Sequence, residues 1–161
     1  MLGRNFMKRY ITIISLVTLV PFFSKAQTDS SALFEKSKNK LSHPISSFKK
    51  LVNLESVKVN FGCSPNPGNT YYTDKEDTVN AIFEGTVISI FQLENQYGLT
   101  TKFGKYYITY FGLSKPVVKR GDYIKTRQHL ATLMNNLGES FQLELIISTP
   151  TRNINPSYWL K

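Results

Sequence analysis

The chain has 161 residues and carries 20 Lys and Arg against 11 Asp and Glu, a formal net charge of +9. The excess forms no Arg-rich run and no basic segment interleaved with aromatics, which argues against nucleic acid as a partner. The single cysteine, Cys63, permits no internal disulfide, and only His43 and His129 are available for imidazole chemistry.

Arg4, Lys8 and Arg9 precede an uncharged apolar run over 11–23, which closes on Ser24-Lys25-Ala26. A basic start, a short apolar core and small residues before the cut define a signal peptide over 1–26. The apolar run is shorter than the roughly 20 residues that span a bilayer, so no membrane-spanning segment is expected after cleavage. Residues 27–161 would then be exported, to the periplasm or the cell exterior, with sixteen basic and eleven acidic residues and a net charge of +5.

Residues 27–53 are rich in Ser and Lys, with Leu33, Phe34, Leu41, Ile45, Phe48 and Leu51 at no sustained period. They read as a polar linker with at most one short helix, near 31–40. Pro44 disfavours helical backbone at His43, which therefore reads as a solvated linker residue.

From 54 to 161 short apolar and β-branched runs alternate with Gly, Pro and Asn, the pattern of an all-β domain. Strands are predicted at 56–61, 79–83, 85–93, 98–103, 106–111, 123–126, 130–133 and 140–147. In the last of these Ser140, Gln142 and Glu144 alternate with Phe141, Leu143 and Leu145, so the three polar side chains share one face. Cys63 lies in a turn-rich loop and reads as structural, since a nucleophilic cysteine wants a histidine partner. Asp74, Glu76 and Asp77 form an acidic loop whose spacing matches no calcium-binding motif. Tyr71, Tyr72, Tyr106, Tyr107, Tyr110 and Phe111 are dense; alternation sends about three of the six to the core and leaves the others for a recognition surface.

An ordered series of small motifs runs through this domain. Phe61-Gly62 with Pro65 is followed by Val79-Asn80-Ala81-Ile82-Phe83-Glu84-Gly85-Thr86-Val87, then Tyr97-Gly98 and Tyr106 to Ser114. Val118-Lys119-Arg120-Gly121-Asp122, Ser140-Phe141-Gln142-Leu143-Glu144-Leu145 and Asn155-Pro156 complete it. In that order of pieces, over about residues 60–160, the chain resembles the lysostaphin/LytM-type zinc endopeptidases of peptidoglycan, the duplicated hybrid motif. The resemblance implies a compact antiparallel β-sheet domain crossed by a groove.

The catalytic positions of that family do not carry over. Its His-x-x-x-Asp element faces Asn69-Thr70-Tyr71-Tyr72-Thr73-Asp74, with no histidine; its Tyr-x-His-Leu-Ser faces Tyr110-Phe111-Gly112-Leu113-Ser114, so Gly112 takes the His place. Its His-x-His pair falls on Ser140 and Gln142, and Glu144 alone matches. A hydrolytic zinc takes about three His, Cys, Asp or Glu ligands, and these positions offer Ser140, Gln142 and Asp74, of which only Asp74 is a good zinc donor. The resemblance implies zinc as cofactor, yet the residues imply none and leave no catalytic set. His129 has no second ligand beside it and reads as a strand-edge residue.

The expectation is an exported pseudo-peptidase whose groove, at Gly112, Ser140, Gln142, Glu144 and Tyr110, binds peptidoglycan peptide or a cell-wall hydrolase. The alternatives are an active endopeptidase with atypical ligands and a purely structural envelope module.

Overall fold

A computed structural model describes residues 30–53, 68–136 and 140–161. The segment 1–26 expected as a signal peptide, the strand expected at 56–61, Cys63 and the Phe61-Gly62 and Pro65 motif lie outside the described residues. Among those described, no helix is long and apolar enough to cross a membrane.

The architecture is an antiparallel β-sheet with one short helical turn at 30–35 and a 3-10 turn at Pro156–Tyr158. Its strands are β1 (Lys50–Asn53), β2 (Asn69–Thr73), β3 (Thr78–Asn80), β4 (Gly85–Leu93), β5 (Gln96–Phe103) and β6 (Tyr106–Leu113). They continue as β7 (Tyr123–Ile124), β8 (His129–Thr132), β9 (Asn135–Asn136), β10 (Ser140–Ser148) and β11 (Asn153–Ile154). The main sheet runs β1-β2-β10-β6-β5-β4-β7, with β9 and β11 also on β10, while β3 and β8 form a separate pair.

Alternation builds the central strands. In β10 Leu143, Leu145 and Ile147 are buried while Gln142, Glu144 and Ile146 stand on the other face; in β6 Tyr106, Ile108 and Tyr110 are buried opposite Tyr107, Thr109 and Phe111. Of the six dense aromatics, Tyr71, Tyr106 and Tyr110 are therefore core residues and Tyr72, Tyr107 and Phe111 face outward. One core joins the buried sheet face to Phe34, Leu41, Ile45, Val79, Leu130 and Trp159.

The segment expected as a polar linker is part of this core. Phe34 packs against Phe83, Tyr106 and Trp159, with ring centroids 4.5–5.4 Å apart. Leu41 bridges Leu160, and β1 pairs β2 from Lys50↔Tyr72 to Asn53↔Asn69. Phe34, Leu41 and Ile45 are buried singly at irregular spacing while Leu33 and Leu51 stay exposed, so the segment leaves no periodic trace in the sequence. His43 is likewise not a solvated residue: its Nδ1 lies 2.8 Å from the Tyr71 hydroxyl, and its ring meets Phe48 and Tyr71 edge on.

Candidate functional site

Strand β10 carries the expected row Ser140, Gln142 and Glu144 on one face, each part-exposed. Register sets its surroundings. Gln142 lies opposite Tyr72 and Glu144 opposite Thr70 on β2, and Glu144 also faces Phe111 on β6. Directly paired residues project to the same side of a sheet, so these groups share a surface. Gln142, Glu144, Phe111, Gly112 and Gln96 enclose a cleft of about 160 Å³. Within it Gln142 Nε2 donates to Glu144 Oε1 at 3.3 Å.

Gly112 contributes backbone alone. The β5–β6 ladder shifts register between Tyr97 and Gly98, so that Gly98 faces Phe111 and Tyr97 faces Leu113. Gly112 is the extra residue of that bulge, with φ +95°. A Cβ on it would come within 2.1 Å of the Gln142 carbonyl oxygen. The bulge also corrects one expected groove residue. Tyr110 is fully buried on the core face, where its hydroxyl accepts the Ile82 N–H at 2.9 Å, and burial pushes its ionisation well above the ordinary range.

An aromatic ledge borders the cleft. Phe91 and Phe111 stack with centroids 6.2 Å apart and planes 8° from parallel. Gly98, between them on β5, makes the stack possible, because a Cβ there would meet Phe91 Cζ at 2.1 Å. Phe91 remains 42% exposed although it is a large apolar side chain. Gln96 and Phe91 were not legible as site residues: the signal for Phe91 is an apolar residue on a strand next to one with glycine, and it appears only once the register is known.

The acidic loop does not converge. Asp74 pairs with Lys49 on the exposed surface. Asp77 Oδ2 accepts the Ser46 and Ser47 N–H groups at 3.0 and 2.9 Å and the Ser47 hydroxyl at 2.9 Å, and Oδ1 accepts the Thr78 N–H at 2.7 Å. Asp77 thus ties residues 46–47 to the start of β3. His129 is exposed on β8, opposite Asn80.

No family model and no curated protein matches the sequence. Solved structures do match. Csd3 of Helicobacter pylori is similar with TM-score 0.64 at 15% identity, over 77% of this chain and 35% of that one. A chain of the SpoIIQ–SpoIIIAH pore-forming complex gives 0.60 at 20% identity, over 78% and 92%. A putative M23 peptidase from Pseudomonas aeruginosa gives 0.58 at 14% identity, over 89% and 63%. The fold is that of the LytM-type M23 peptidases. The chain spans only about a third of the length of Csd3.

An M23 peptidase fold raises the question of zinc, and the residues at the cleft do not fit it. Its side chains offer one carboxylate, two amides and an aromatic ring, and the backbone at Gly112 has no room for a ligand. Among the described residues no three His, Cys, Asp or Glu side chains stand close enough to hold a metal. What the cleft can do is hydrogen-bond. Gln142 supplies a donor and an acceptor, Glu144 supplies acceptors, and the Phe91–Phe111 ledge supplies a flat apolar contact.

Proposed function

We propose that the protein is an exported binding module that uses its M23-type sheet face to hold a cell-wall peptide or a wall-hydrolase partner, without metal-dependent cleavage. The observation that carries this reading is the company kept by Gln142 and Glu144. An amide and a carboxylate beside stacked aromatic rings match the N–H, C=O and side-chain surface of an extended peptide, while the same cleft lacks the ligands zinc would need. The signal-like N-terminus supports an envelope location for such a module. A chain of like fold in the SpoIIQ–SpoIIIAH complex supports the partner-holding role.

The test is co-sedimentation with purified peptidoglycan, alongside elemental analysis of the purified protein. Retention in the pellet, reduced by Gln142→Ala and Glu144→Ala, is expected. Recovery wholly in the supernatant removes the wall peptide as ligand. Stoichiometric zinc with chelator-sensitive clearing of a wall suspension would establish the endopeptidase reading instead.

A further inference from the structure

A larger cleft, of about 940 Å³, lies at the other end of the same two strands, where β6 begins and β10 ends. From Tyr106 to Gly112 the rise along β6 is about 20 Å, so this cleft is well separated from the one at Gln142 and Glu144. Its volume falls at the upper end of the range for ligand sites, roughly 300–1,000 Å³.

Three cations reach it from three separate chain reversals. Lys38 follows the helical turn at 30–35, Lys105 sits in the β5–β6 turn, and Arg152 sits in the turn between β10 and β11. Each reversal is tied down. The Ser37 hydroxyl bonds the Phe34 carbonyl at 2.6 Å, the Lys105 N–H donates to the Ser31 hydroxyl at 3.1 Å, and the Thr149 N–H donates to the Arg152 carbonyl at 2.8 Å. One carboxylate, Glu35, answers them. It pairs with Lys38 at 2.8 Å and Lys105 at 3.8 Å and accepts the Tyr106 hydroxyl. Arg152 is exposed and has no carboxylate partner among the described residues. Beside it Tyr158 is 61% exposed, a large aromatic face left open at the rim.

We propose that this cleft binds an acidic peptide segment, with a carboxylate on Arg152 and the peptide laid along the 149–153 turn against Tyr158. Charge complementarity selects the ligand, since three cations face one acid. Geometry selects the form of the anion. A guanidinium fork takes a planar carboxylate in two parallel bonds, whereas a compact phosphate would want the cations to converge. Here Glu35 draws both ammonium groups to itself and leaves the guanidinium apart. The site is independent of the reading given for Gln142 and Glu144.

Isothermal calorimetry of the full chain with a hexaglutamate peptide, hexaglutamine and inorganic phosphate tests the proposal. Saturable binding of hexaglutamate is expected, weakened by added salt and lost about tenfold in Arg152→Ala. Arg152→Lys, which keeps the charge and loses the fork, should fall between. Hexaglutamine and phosphate should not bind, and Gln142→Ala should bind hexaglutamate like the parent. No hexaglutamate binding, equal affinity in Arg152→Ala, equal competition by phosphate, or loss in Gln142→Ala would each overturn it.

Discussion

His43 Nδ1 stands 2.8 Å from the hydroxyl of Tyr71, joining a segment with no regular structure to a core strand of the sheet. Burial lowers the His43 pKa below its usual 6.5, so the neutral ring is the folded form. The unfolded chain then takes up the proton at higher pH than the folded one. Stability from this group is complete above pH 6.5 and is lost as pH falls from there towards the folded value. Asp77 acts lower. Burial raises its carboxyl, but hydrogen bonds from Ser47, Thr78 and Ser46 outweigh this and hold it below its usual 3.8, so its contribution is present above that pH and lost beneath it. Urea midpoints between pH 8 and 4 should show an upper acid limb that His43→Gln flattens. Parallel curves for the two chains would show that His43 is not the group responsible.

The contact between Gly112 and the Gln142 carbonyl makes the glycine irreplaceable. Gly112→Ala would place a Cβ at positive φ and against backbone that cannot yield, a combined cost of about 2–5 kcal/mol by urea denaturation. A chain carrying Gly112→His should therefore lose stability as well. Tenfold zinc should leave the melting midpoint of the parent in place, because a ligand held by the native state would raise it.

Phe34 tests whether the residues before the sheet belong to the fold. It is fully buried among Phe83, Tyr106 and Trp159, and Phe34→Ala should cost about 3–5 kcal/mol. A fragment beginning at residue 54 should fail to give a cooperative transition. A loss under about 1 kcal/mol for Phe34→Ala would mark this contact as dispensable.

Phe91→Ala removes an exposed ring and should change stability by less than about 1 kcal/mol. Retention on peptidoglycan should nevertheless drop. Gly98→Ala reaches the same end by another route, since its methyl takes the space of the Phe91 ring and pushes it off Phe111. Unchanged retention in both variants would place the ligand away from the ledge.

Strands whose two faces differ were legible in the sequence. The expected 140–147 and 85–93 correspond to Ser140–Ser148 and Gly85–Leu93, and 106–111 falls within Tyr106–Leu113. Strand β2 was not, because Asn69 and Thr73 occupy inward positions that the pattern reserves for apolar residues. The polar row on β10 was read from strand alternation, and the glycine at 112 from the family resemblance. Tyr110 was misplaced because a bulge, which depends on the partner strand's register, carries Gly112 out of the alternation that Tyr110 obeys. Arg152 and Glu35 are 117 positions apart and meet only through tertiary structure.

Strand β10 is the neighbour of both β2 and β6, which do not touch each other in the main sheet. During synthesis the ribosome delivers those two flanks long before it delivers the piece between them. Until residue 148 has emerged, the sheet exists as separate halves with unsatisfied edges, and the many distant pairings close late. The fold can therefore close only after most of the polypeptide has been made.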